Sequence, residues 1–163
     1  MEKEHTINTI LYATDLGENT RPVFRAALSL AKAYNASIIM LHVVEPMSSS
    51  LRAVVDTYLS EVDAKKIYQD NMQSVLESMK VRLKNYCDEE FGPQKVSSLP
   101  VSEMLVVSGR TSEEILKAAE KGKADIIVLG KSTRKILGNE IAGSAARRVP
   151  RHSKIPVLIV PNI

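Results

Sequence analysis

The chain has 163 residues, of which 44% are hydrophobic and 25% charged, the size and composition of one soluble globular domain. Lys and Arg total 22 against 19 Asp and Glu, a net charge of +3 that is too small to indicate a nucleic-acid binder. No stretch approaches the roughly 20 apolar residues of a membrane span. The opening MEKEHTIN lacks the apolar core of a signal peptide, and Cys87, the one cysteine, permits no internal disulfide. Together these predict a cytoplasmic protein.

In chain order, INTILYAT (7–14) is a short β-branched apolar run and predicts a buried strand. The turn DLGEN follows, then a helix over 20–35 in which Thr20 can cap and Pro22 lies in the first turn. ASIIMLHVVEP (36–46) predicts a second buried strand, stopped by Pro46. Residues 47–91 are polar but carry apolar residues at helical spacing, so a flexible loop and then one long helix or two are expected. Cys87 sits in that pattern without a partner for nucleophilic chemistry and reads as structural. VSEMLVVSG (101–109) predicts a third strand. Thr111 and Glu114 have the spacing of a capping box for the next helix, which Gly122 closes. ADIIVLG (124–130) predicts a fourth strand, NEIAGSAARRV (139–149) a helix, and KIPVLIVP (154–161) a fifth strand. The basic run RRVPRHSK (147–154) reads as a solvated helix end.

Strands that are apolar on both faces and alternate with helices predict a parallel sheet covered on both sides. The expected architecture is one domain, 1–163, with a doubly wound Rossmann-like α/β fold and strand order 3-2-1-4-5. In such a fold a ligand binds at the carboxyl ends of the strands. Asp15, 43–45 and Gly130 close the relevant strands.

LGKS at 129–132 looks like the end of a P-loop, G-x-x-x-x-G-K-[ST]. The first glycine of that motif would fall on Asp125, and the intervening IIVL is the strand itself, so no loop is available to wrap a phosphate. A different spacing fits. Gly130 ends the strand, and Gly143 and Ser144 follow thirteen and fourteen residues later. This resembles G-x-x-G-x(9)-G-[ST], the nucleotide motif of the universal stress protein family, with Thr133 where the family usually has its second glycine. The likeness extends over ILYATDLGENT, IIMLHVVEP, VVSGRTSEEILKAAEKGKADIIVLG and GSAARRVPRHSKIPVLIVP, almost the whole chain.

The resemblance implies an adenine-nucleotide site, for ATP or for ADP or AMP, with Mg2+ as an accompanying ion. Asp15 and the backbone of Val43 match the ribose and adenine positions, with Ala13 where a proline is common. Leu129, Gly130, Lys131, Thr133, Gly143, Ser144 and Ala145 fall on the ribose–phosphate side. A glycine admits close backbone approach, and N–H groups at a helix start receive phosphate oxygens. The structural alternatives are a turn cap for Asp15, a packing glycine at Gly143, a solvated cation at Lys131 and a packed strand-end residue at His42. The scattered histidines form no metal cluster, and no general base or arginine finger stands out, so occupancy by nucleotide is expected over turnover, with slow ATP hydrolysis at most.

The family also implies a regulatory or signalling module with a protein partner, dimeric through the last strand (154–161), whose apolar edge would otherwise be exposed. Two other readings compete. One is a family member that has lost nucleotide binding, which Thr133 favours. The other is an adenylating enzyme of the same broad fold, which would need an SGGxDS-like loop where this chain has ATDLGENT.

Overall fold

The computed structural model describes residues 4–17, 19–46, 48–93, 96–136 and 139–162; of 132–142 only the backbone is described. Five parallel strands form one sheet: β1 (Thr9–Ala13), β2 (Ser37–Val44), β3 (Val101–Ser108), β4 (Ile126–Gly130) and β7 (Val157–Val160). Their spatial order is β3-β2-β1-β4-β7, the expected 3-2-1-4-5. Alternation along the strands sends side chains to two separate cores. Ile10, Tyr12, Ile38, Met40, Ile126 and Val128 face α1 (Arg21–Tyr34) and α3 (Glu61–Phe91), through Phe24, Ala27, Met79 and Leu83. Leu11, Ile39, Leu41, Ile127 and Leu129 face α4 (Thr111–Lys121) and α5 (Ser144–His152), through Ile115, Ala119 and Val149. A strand with two buried faces has no polar positions, which is why these runs are continuously apolar.

Between β2 and β3 the chain forms two helices, α2 (Ser49–Tyr58) and α3. Both begin at serines whose hydroxyls accept a backbone N–H three residues on: Ser48 from Leu51 and Ser60 from Asp63. Among the described residues helical structure thus starts at Ser49, and the loop expected there is short. α3 buries Met79, Leu83, Tyr86 and Cys87, while α2 buries nothing. Arg21 pairs with Glu89, and Arg25 with Glu90, across the exposed seam between α1 and α3.

Three local expectations are corrected. Residues 139–149 are not one helix: β6 (Asn139–Ala142) pairs antiparallel with β5 (Ser132–Ile136), and α5 starts only at Ser144. The Gly143 N–H donates to the Lys131 carbonyl at 3.1 Å, closing this hairpin at its base. Sequence spacing alone does not show that tertiary bond. Thr20 is the N-cap of α1 but makes no side-chain capping bond; its hydroxyl donates to the Gly17 carbonyl at 3.3 Å. No capping box opens α4 either. Arg110 is the N-cap, Thr111 is already helical, and Glu114 is held by Lys117 at 2.7 Å. Gly122 does end that helix, but Lys123 adopts the left-handed conformation, with φ 50°.

Candidate functional site

β1 lies between β2 and β4, and the connections from it and from β4 leave on opposite faces, so a crevice opens at the carboxyl ends of these strands. A cleft of about 510 Å³ occupies that position, within the range usual for small-molecule sites. It is lined by Ala13, Asp15, Val43, Leu129, Gly130, Gly143, Ser144 and Ala145, among others. Eight of the ten sequence-derived positions are thereby brought around one space. Lys131 is not among the lining residues: its N–H donates to the Val160 carbonyl at 2.9 Å and its side chain is exposed. Thr133 lies on β5, and its side chain is outside the described residues.

The wall formed by β1 and β2 is held by a short chain of hydrogen bonds. The Thr14 N–H donates to the Leu41 carbonyl at 2.8 Å, and the Thr14 carbonyl faces His42 Nδ1 at 2.8 Å. A carbonyl only accepts, so His42 Nδ1 donates this bond. The Thr14 hydroxyl accepts the Leu16 N–H at 3.1 Å, and Asp15 Oδ1 accepts the Gly17 N–H at 2.8 Å. Asp15 therefore caps its turn, as the structural alternative expects, while its carboxylate lines the cleft.

Pairing of β1 with β2 ends at Ala13 opposite Leu41. The Leu41 carbonyl points toward β1, and the Val44 carbonyl points the other way, accepting the Gly109 N–H at 3.1 Å. Backbone groups alternate along a strand, so the N–H and C=O of Val43 face the β1 side, beyond the last paired residue of β1. One donor and one acceptor are thus presented side by side to the cleft, the complement of the amidine edge of adenine.

The opposite wall is the first turn of α5, with Ser144, Ala145, Ala146 and Arg147 lining the cleft. Its N-cap is Gly143, at φ −56°, and no side chain caps it; no acidic residue lies in its first turn. The opening N–H groups of a helix have no partner within it and carry the positive end of its dipole. Arrayed beside a cleft, they suit an anion.

Gly130 is small for a reason internal to the fold as well. A Cβ there would lie 3.0 Å from Asn162 Nδ2 and 3.3 Å from Val23 Cγ2. Sequence reading did not single out Thr111, Ile115, Asn162 or Arg147 as lining residues. Arg147 was legible in principle, four residues after Gly143 on one helical face. Thr111 was not, because its place depends on α4 packing beside β2; its hydroxyl donates to Glu45 Oε1 at 3.1 Å across the cleft mouth. Among the described residues no group of three or more His, Cys, Asp or Glu is arranged to hold a metal ion.

Comparison with known proteins places this geometry in a family. The model of the universal stress protein family matches residues 6–161. A universal stress protein of Thermus aquaticus is 29% identical over 153 residues, covering 93% of this chain and 97% of that protein. Universal stress protein UspA of Lactobacillus plantarum superposes with a TM-score of 0.65 at 19% identity, over 95% of this chain and 98% of that one. A universal stress protein in complex with cAMP does so with a TM-score of 0.59 at 23% identity, over 97% and 99%. At these identities the two structural likenesses are likenesses of fold.

Proposed function

The chain belongs to the universal stress protein family, and from that premise we propose that it is a nucleotide-binding regulatory module, cytoplasmic and dimeric, whose cleft holds an adenine nucleotide. The observation that carries this reading is the pairing of two walls across one cleft. The Val43 backbone edge suits a base, and the uncapped start of α5 suits phosphates. A structurally similar family member is known in complex with cAMP, which supports a nucleotide as the class of ligand. The ribose hydroxyls would donate to the Asp15 carboxylate, and the phosphates would accept from the N–H groups of Ser144 and Ala145. Any Mg2+ would be held chiefly by the phosphates, since the described residues offer no metal cluster of their own. Occupancy, read out by a protein partner, is the proposed activity. Among the described residues no helix is long and apolar enough to cross a membrane.

The experiment sets Gly143 against Lys131 in calorimetric titrations with ATP, after mass spectrometry of the purified protein for co-purified nucleotide. At φ −56° the backbone of Gly143 accepts any residue, so Gly143→Val tests space at the phosphates, not backbone strain. It should cost about tenfold or more in affinity, roughly 1.4 kcal/mol. Lys131→Ala should cost less, and its effect should fade with salt. The reverse ranking would restore a P-loop-like role for Lys131. A wild type that binds no adenine nucleotide would favour the non-binding relative marked by Thr133.

A further inference from the structure

The acidic turn after β1 is built from bonds that meet at Gly17. Its N–H donates to Asp15 Oδ1 at 2.8 Å. Its carbonyl accepts from two sides, the Thr20 hydroxyl at 3.3 Å and Arg82 Nη1 at 3.2 Å. A carbonyl oxygen has two lone pairs, so both donors are accommodated. Leu16, between Asp15 and Gly17, is held at φ 59°, a left-handed conformation that a residue with a Cβ disfavours. The carboxylate lies so close to the backbone that a Cβ on Gly17 would sit 3.0 Å from Asp15 Oδ1. A turn of this kind keeps its shape because its surroundings hold it.

The Asp15 and Thr20 bonds are local, within three residues of Gly17, whereas Arg82 is 65 residues away on α3. There α3 is firmly seated, with Met79, Leu83 and Tyr86 buried on either side of Arg82. Arg82 lines a second groove, of about 220 Å³, together with Thr14, Gly17, Asn85 and Tyr86. Tyr12, Thr14 and Thr20 line both this groove and the cleft, so the turn is the partition between the two. The Tyr12 hydroxyl feels both the Asp15 carboxylate and the Arg82 guanidinium, which places the two charges around one point at the end of β1.

We propose that Arg82 is a positioning residue for the nucleotide site: by holding the Gly17 carbonyl, it fixes the turn that presents the Asp15 carboxylate to the ribose. The inference rests on the nucleotide reading above and adds to it a residue from outside the cleft. Arg82 does not line the cleft, so it acts through Asp15 and not on the ligand. A carboxylate already oriented loses little freedom when it accepts the ribose hydroxyls, whereas a loose one must be ordered by the ligand. The bond is single, from one nitrogen to one carbonyl, so a lysine ammonium can also make it.

The test is calorimetric titration with ATP and with 2′,3′-dideoxy-ATP, which lacks both ribose hydroxyls, with melting curves to verify folding. Arg82 is exposed, so Arg82→Gln leaves the core intact. This variant should weaken ATP binding about three- to tenfold and leave dideoxy-ATP within about 1.5-fold of wild type. Arg82→Lys should restore ATP affinity to within about twofold. In an Asp15→Ala background Arg82→Gln should cost nothing further, because two residues acting through one contact are not additive. Lys84→Gln removes a cation of the same helix that pairs with Asp88, and should leave both ligands unchanged. Equal losses for the two ligands, additive losses with Asp15→Ala, or no loss at all would each overturn the inference while leaving nucleotide binding intact. So would an Arg82→Lys variant as weak as Arg82→Gln, or an equal effect of Lys84→Gln. A wild type that binds neither ligand would overturn the nucleotide reading itself, and this inference with it.

Discussion

Tyr12 is 1% exposed, its ring stacked on Phe24 with centroids 5.4 Å apart. Burial disfavours the phenolate and pushes its pKa up to about 12, against a hydrogen bond with Thr14 that acts the other way. The folded chain therefore holds this proton to higher pH than the unfolded chain does. The resulting stabilisation is complete below pH 10 and is lost as pH rises from 10 toward 12. Two pH units correspond to roughly 2–3 kcal/mol. Tyr12→Phe keeps the ring stack and removes the ionisation, so its stability should decline less steeply than that of wild type across that window. Denaturant melts at pH 9 and above check this (on the order of one pH unit per step); parallel curves would mean that Tyr12 does not set the alkaline limb. At the same scale, Asp15 shows that two readings of one residue need not exclude each other. One oxygen holds the Gly17 N–H, and the carboxylate still lines the cleft.

Among the elements, α3 changes character along its length. Its second half packs Met79, Leu83 and Tyr86 against α1 and the sheet, whereas Val62, Ile67 and Tyr68 in its first half stand exposed, at 77%, 56% and 45%. Apolar burial is the main source of helix stability in a folded protein, so the two halves should respond differently to truncation. Leu83→Ala should cost about 2–5 kcal/mol through the cavity it leaves. Ile67→Ala should stay within roughly 0.5 kcal/mol. Chemical denaturation of both variants gives the comparison; a large loss at Ile67 would show that the first half is packed in solution. The same contrast explains why this segment was hard to read in the sequence. Helical spacing of apolar residues is present throughout, but only tertiary contact decides which of them are buried.

For the whole molecule, β7 is a sheet edge, paired among the described residues only with β4. The Pro156 and Val160 carbonyls accept from the N–H groups of Ile127 and Lys131, so alternation turns the N–H and C=O groups of Val157 and Ile159 outward. A second copy pairing there would satisfy them and close the sheet edge. Val157 and Ile159 pack against the core shared with α4 and α5, so charging them would damage the monomer as well. Leu158, 36% exposed, is the cleaner probe. If the protein dimerises on this edge, Leu158→Lys should shift its sedimentation toward monomer with little change in melting. A wild type that is monomeric at about tens of micromolar, where a micromolar complex would be assembled, would rule the edge out as the interface.

The sequence by itself determined the sheet. Runs such as 10–13, 38–41 and 126–129, apolar on both faces, leave a strand nowhere to lie but between two helical layers, and right-handed crossovers then limit the order in which such strands can pair. It also marked Asp15, Val43 and Gly130 as turn and strand-end positions, because local chemistry decides where a chain can bend or come close. The tertiary structure alone decided what happens between Gly130 and Ser144. There a hairpin bonded at its base from Gly143 to Lys131 takes the place of the first residues of the expected helix, which begins only at Ser144. That bond, and the pairing of Lys131 with Val160, takes Lys131 along the strand and its side chain away from the cleft. Arg147 lines the cleft instead, because α5 starts only after the hairpin and sets its first turn along it. Periodicity records which face of an element is apolar; which cation faces a cleft depends on bonds between residues distant in the chain, and no local pattern carries those.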